Sequence, residues 1–357
     1  MRNWTRPATL HVSRICLHLL PIVIAVVLAN AVRAQSSNTL YGPSGVSPMA
    51  VRQGVLGSCY FHASVAAVAK ASPSAIQNAI SGDAQRGYRI HFVTGPEELV
   101  YPQDIEYARA HNYDRSEGQW VTVLMRGYAQ RELRQGMVDA IQRSTVIPIF
   151  VKPIALSALR QSGPLLLAYD RAVRSVVNQD GQMDKANFQA QLTKELSSLG
   201  IPAAQSQVLV GLLAQSGFYD AISSTVRKNG EVFGAYRSFG QGGIPSSVIR
   251  AFLGTAESAS ISSGTLREQL RSLHAGGTAI IAGTNASAFN ASFGGQSPDW
   301  YVPTHAYTLL DYDESSRTIL LRNPWGARPG PDGVFKLPLN VFLQAYETYS
   351  YHDGASQ

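Results

Sequence analysis

Gln53-Gly-Val-Leu-Gly-Ser-Cys-Tyr-Phe61 sets a lone cysteine between a glycine-bearing turn and an apolar run. The run Cys59 to Lys70 is Ala-rich and apolar on most sides, which predicts a helix buried in a core. Gly57-Ser58 marks its start, and Ser72-Pro73 lies beyond its end. Cys59 therefore falls in the first helical turn, where the helix dipole favours a negative charge.

Upstream, residues 1 to 34 predict an export signal. Arg2, Arg6 and Arg14 precede an apolar run from Ile15 to Leu28, and Val32-Arg-Ala34 offers small residues for cleavage. A secreted or periplasmic location follows. An uncleaved membrane anchor is the alternative, because the apolar run nearly reaches spanning length. Without the signal's four arginines the formal charge falls from +6 to +2, and Cys59 is the one cysteine left, since Cys16 goes with the signal. So small a charge, without long basic runs, argues against nucleic acid as a partner. A single thiol in an oxidising compartment must be buried or used.

The rest of the chain, about 320 residues, is enough for one large or two medium domains. Residues 35–51 are rich in Ser, Gly and Pro and predict an extended leader. Residues 52–149 hold the cysteine helix, a strand at Tyr88–Val93 and a helix over Trp120–Leu133, with polar loop between the last two. Residues 150–235 predict a helical insert: Leu166, Tyr169, Val173 and Val176 recur at helical spacing, then Phe188, Leu192, Leu196 and Leu199, then a run over Val208–Leu213. From 236 to 357 strand character returns at Thr278–Thr284, His305–Asp311 and Thr318–Asn323.

The last two strands flank the polar turn Asp313-Glu-Ser-Ser316. Pairing centred on Glu314 would set Leu309 opposite Ile319, Tyr307 opposite Leu321 and His305 opposite Asn323, all on one face. Opposed Cβ atoms lie about 4.5–5.5 Å apart, so the Asn323 amide would reach the His305 ring. An imidazole held by an amide has a defined tautomer, with its other nitrogen free to take a proton. Cys59 is the matching donor, a thiol whose pKa a helix N-terminus and a nearby histidine would lower. Gln53, linked to Cys59 through Gly54 and Gly57, would fold back so that its amide joins the Cys59 N–H around a developing oxyanion.

These residues resemble the calpain-type branch of the papain-like cysteine proteases. Gln53–Phe61 is similar to that family's Q-G-x-L-G-D/N/S-C-W-F block, His305-Ala-Tyr to its G-H-A-Y block, and Leu321-Arg-Asn-Pro-Trp-Gly326 to its R-N-P-W-G block. Weaker similarity runs through Trp120–Ala129, Gly242-Gly243 and Phe252-Leu-Gly254. The resemblance implies an α+β, papain-like fold of two lobes, helical and β-rich, with a helical insertion. It implies a cysteine endopeptidase acting on protein or peptide substrates. Its roles are nucleophile for Cys59, general base for His305, orienting amide for Asn323 and oxyanion donor for Gln53, with Gly57, Ser58 and Trp325 supporting the cleft. Tyr60 stands where the family has Trp, and Thr304 where it has Gly before the histidine.

Other readings stand beside this one. His62, one turn after Cys59, is the rival base, although residues three apart on a helix point along it. The same Cys-His-Asn set would serve a transglutaminase-like acyl transferase, and an inactive binding protein could keep the fold. No Cys/His cluster has metal-ligand spacing, and no glycine-rich phosphate loop opens a helix, which argues against zinc and nucleotide. Calcium is not expected as a cofactor: after Gly326 the chain has Ala-Arg-Pro329, where calpains carry an acidic residue used for the ion.

Overall fold

The computed structural model describes residues 40–352 except 144, 146–148, 151, 162, 177–184, 205, 208–209, 212–238, 263 and 285–297. The expected signal, and most of the run Val208–Leu213, lie outside the described residues. The apolar run after the glycine turn forms helix α1, Cys59–Ala71, with every residue from Tyr60 to Ala69 buried. A helix apolar all round needs protein on all sides. One side rests on a sheet, where the Thr308 hydroxyl donates to the Ala63 carbonyl at 2.8 Å.

After α1 come α2 (Pro73–Ala79) and a small antiparallel sheet of β1 (Ile80–Asp83), β2 (Gly87–Ile90) and β3 (Glu98–Val100). Helices α3 (Pro102–Ala110) and α4 (Trp120–Arg143) follow, then α5 (Lys152–Gln161), α6 (Gly163–Val176) and α7 (Lys185–Ser198). The remainder is α8 (Pro245–Leu253), β4 (Glu257–Ser260), α9 (Leu266–His274), β5 (Ala279–Thr284), β6 (Ala306–Asp313), β7 (Thr318–Arg322), β8 (Val334–Pro338), α10 (Leu339–Ala345) and β9 (Tyr346–His352). Its strands form one antiparallel sheet in the order β4-β9-β5-β6-β7-β8. The chain is α+β.

Three apolar cores organise these elements. The first surrounds α1 and takes in Trp120, Leu124 and Tyr128 of α4, reaching the sheet at Ala279, Ile281 and Ala306. The second lies on the opposite face, where Ile280, Tyr307, Leu309 and Leu321 pack with Leu270 of α9 and Phe342 of α10. Strand alternation divides the two, since Ala279 and Ile281 point one way and Ile280 the other. The third core lies in the segment expected to be helical: Leu166, Tyr169, Val173, Phe188, Leu192 and Leu196 pack with Met137 and Ile141 at the end of α4.

Three expectations are corrected. The segment expected as polar loop holds β3 and α3; Pro102 at the first position of α3 and Asp104 at its third are its start signals. The segment expected as an extended leader without regular structure holds a 3-10 helix at Pro48–Ala50, and Gln119 N–H donates to the Leu40 carbonyl and Glu117 N–H to that of Ala50, at 2.6 and 2.8 Å. The β6–β7 pairing sets Leu309 opposite Leu321 and Tyr312 opposite Ile319, with a bulge between Leu309 and Asp311. The shift from the expected register is three residues on the turn side of the bulge and two on the His305 side, and the even shift there keeps His305, Tyr307, Leu321 and Asn323 on one face.

Candidate active site

Position 59 is the first residue of α1, so its backbone N–H has no acceptor within the helix. The sulphur of Cys59, half-buried, is reached by the N–H groups of Ala306, Tyr60 and Cys59 itself. Ala306 opens β6 directly after His305, so the thiol lies at the histidine end of that strand. Burial pushes the thiol above its ordinary pKa, and the three N–H groups pull it back only in part. The lowered pKa expected from the sequence is therefore reversed: desolvation of the sulphur outweighs the helix N-terminus.

His305 Nε2 lies 3.0 Å from Asn323 Oδ1. The Trp325 backbone N–H meets the same Oδ1 at 3.0 Å. A backbone N–H only donates, so this atom is the amide oxygen, and His305 Nε2 must carry the hydrogen. Nδ1 keeps its lone pair. With the observed register carried one step beyond β7, Tyr307 opposes Asn323 and the histidine reaches it diagonally. Burial lowers His305 to about 4, against the opposing effect of the Asn323 contact. Each shift favours the neutral form of its own group, thiol or imidazole.

Trp325 covers this pair, its ring 4.9 Å from that of His305, yet it stays 42% exposed. Gln53 is seated against the same segment, its N–H donating to the Pro324 carbonyl at 2.8 Å. Its side-chain amide donates to the Leu56 carbonyl at 2.6 Å, and one of the two amide hydrogens suffices for that bond. Gly57 is required by close approach: a Cβ there would meet the Gly240 carbonyl oxygen at 2.6 Å, and at Gly54 the Asn112 oxygen at 1.8 Å. Ser58 is fully buried, with its hydroxyl 3.1 Å from His62 Nδ1, so it braces the turn from behind the site.

His62 is no rival base. It is wholly buried, with Nε2 3.4 Å from Asp114 Oδ1 and Nδ1 3.0 Å from the Ser58 carbonyl. Asp114 is held in turn by the Ser116 and Thr122 hydroxyls, both at 2.5 Å. Sequence reasoning missed this partner and one other. Thr284 brackets His305, accepting its N–H at Oγ1 (2.9 Å) and donating its own N–H to the His305 carbonyl (2.9 Å). Only its position at the end of the β5 run hinted at this. Thr304, standing where the resembled family has glycine, holds φ +52°, the left-handed region that favours glycine.

Comparison with protein-family models and with curated proteins gives no match. Among solved structures the chain is similar to PepW from Lactobacillus rhamnosis HN001, at 11% identity over 84% of this chain and 79% of that one, with a TM-score of 0.30. A likeness that weak carries no argument about fold or activity.

Proposed function

We propose that the protein is an exported cysteine endopeptidase of papain-like, calpain-type architecture. The observation that carries this reading is the shared Asn323 oxygen: Trp325 fixes it as an acceptor, and this leaves His305 Nδ1 with its lone pair, at the end of β6 where the Cys59 sulphur lies. In the proposed reaction the sulphur attacks a peptide carbonyl as its proton passes to Nδ1. The oxyanion is held by the Cys59 N–H and the second Gln53 amide hydrogen. The imidazolium protonates the leaving amine, and water, deprotonated by the same ring, cleaves the thioester.

Cys59→Ala removes the nucleophile and little volume, so peptide hydrolysis is expected to fall by about a thousandfold or more with thermal stability kept. Hydrolysis at the wild-type rate would overturn the reading. Gln53→Ala is expected to lower kcat by about a hundredfold, as loss of one oxyanion donor does. An effect on KM alone would remove Gln53 from that role. Supplying an amine to the trapped acyl-enzyme separates hydrolysis from acyl transfer, and water is the expected acceptor. No calcium requirement belongs to this reading: Asp332, the nearest acid after Gly326, pairs with Arg52 at 2.9 Å, so activity is expected to persist in excess chelator.

A further inference from the structure

An imidazole tied at one ring atom can still pivot about that tie. His305 meets Asn323 Oδ1 through Nε2, so the direction of Nδ1 depends on where the main chain holds the histidine Cα. The rings of Tyr307 and Trp325, at 5.0 and 4.9 Å, flank the imidazole but give it no directional bond. Nor does regular structure fix the backbone, because β6 begins one residue later, at Ala306, and Thr304 on the other side holds φ +52°.

Thr284, the last residue of β5, supplies the missing anchor. Two residues of a hydrogen-bonded antiparallel pair exchange both N–H···O bonds. Thr284 and His305 do so with one replacement. The Thr284 N–H donates to the His305 carbonyl at 2.9 Å, whereas the His305 N–H donates to the Thr284 hydroxyl oxygen, also at 2.9 Å. That hydroxyl has a single hydrogen, with the Val302 carbonyl at 2.6 Å and the His305 carbonyl at 3.1 Å. The His305 carbonyl already receives an N–H, so the shorter contact, to Val302, takes the hydrogen. One oxygen thus ties both ends of Val302-Pro-Thr-His305 around the strained Thr304. The Tyr307 hydroxyl repeats the device one step earlier, accepting the Val302 N–H at 3.0 Å and donating to the Trp300 carbonyl at 2.8 Å. At 8% exposure Thr284 is largely closed to water, so without its hydroxyl the His305 N–H would lose an acceptor rather than exchange one.

We propose that Thr284 is a positioning residue for the general base: its hydroxyl fixes the main chain on both sides of Thr304, and with Asn323 at the other end of the ring this aims His305 Nδ1. The proposal deepens the peptidase reading and rests on it for its catalytic consequence. The aim of the ring is measurable without turnover.

Thr284→Val keeps the shape and removes both bonds, and Thr284→Ser restores them. Peptide hydrolysis by Thr284→Val is expected to fall in kcat by about tenfold or more with KM little changed, and Thr284→Ser to recover most of the loss. Thr284→Ala, which also lacks the hydroxyl, is expected to behave as Thr284→Val does. Nitrogen NMR of the histidine side chains, with the His305 signals identified by their absence in His305→Gln, reads the ring directly. Wild type and Thr284→Ser are expected to show the tautomer protonated at Nε2, and Thr284→Val and Thr284→Ala to show it mixed with the other. Wild-type ring signals in Thr284→Val and Thr284→Ala, or a loss in Thr284→Ser equal to theirs, would overturn the proposal. A wild type without hydrolysis counts against the peptidase reading, and the ring signals then decide the role of Thr284 by themselves.

Discussion

Thr304 is the residue before His305, and its φ of +52° strains a β-branched side chain. Such a conformation costs about 1–3 kcal/mol, of which glycine's greater freedom in the unfolded chain takes back roughly 0.5–1. Thr304→Gly is therefore expected to raise unfolding stability by about 1 kcal/mol in urea titration; a loss of stability would mean that the Thr304 side chain has contacts worth more than the strain. His305 carries a second residue-scale consequence. Its folded pKa of about 4 lies below the ordinary imidazole value of 6.5, so the unfolded chain binds the proton more tightly. The associated stability is complete above pH 6.5 and is lost as pH falls through 4, about 3 kcal/mol in all. Wild type and His305→Gln should accordingly converge or cross in stability toward pH 4, and parallel curves would contradict a buried neutral ring. The raised Cys59 thiol predicts that iodoacetamide labels it slowly at pH 7 and ever faster through pH 9. A plateau across neutral pH would show a preformed ion pair instead.

At the scale of elements, legibility followed length and periodicity. Helix α1 and the third core were visible because apolar residues recur over several turns, as Leu166, Tyr169 and Val173 do. Strand β3 has three residues, too few for any alternation to register, and α3 is nearly polar in sequence. The hairpin shows how a site can be legible while its register is not. The bulge between Leu309 and Asp311 has no signature in Thr-Leu-Leu-Asp, yet the His305–Asn323 contact survives, because side-chain direction depends only on parity. The partner of His62 was hidden because Asp114 is distant in sequence and lies in a stretch without pattern. The glycines of the cysteine turn were legible as necessary, but for a reason only packing supplies. Gly54→Ala would drive a Cβ into the Asn112 carbonyl that also accepts the Val55 N–H at 2.9 Å. It is expected to destabilise by about 3 kcal/mol, the upper range for overpacking, and to slow Cys59 labelling by displacing the turn. A neutral outcome would show that the turn yields freely.

Across the whole molecule, what joins the insert to the body is charge as much as apolar contact. Asp104 of α3 lies 2.9 Å from Arg174 and 3.1 Å from Arg171 of α6, while Arg126 of α4 meets Asp170 of α6 at 2.5 Å. Arg171 and Arg174 also lie over the rings of Tyr101 and Tyr107, at 5.0 and 4.6 Å. Burial would raise the Asp104 carboxyl, but Arg126, Arg171 and Arg174 together outweigh it and hold the pKa below its ordinary value. Asp104→Asn keeps the shape and removes a carboxylate charge that faces Arg126, Arg171 and Arg174. Breaking a buried ionic cluster on one side costs about 3–5 kcal/mol. That cost should fall on the seam, because α5–α7 have a core of their own and α1 has another. Hydrogen exchange is expected to accelerate in α6 of Asp104→Asn while the amides of α1 and β6 stay protected, and Cys59 labelling should be unchanged. The same loosening is expected in wild type as pH falls below about 4, since a depressed carboxyl pKa gives stability only while the group is ionised. Uniform acceleration through α1, β6 and α6 would show instead that the segment α5–α7 and the rest of the body unfold as one unit, with the ion cluster supporting both.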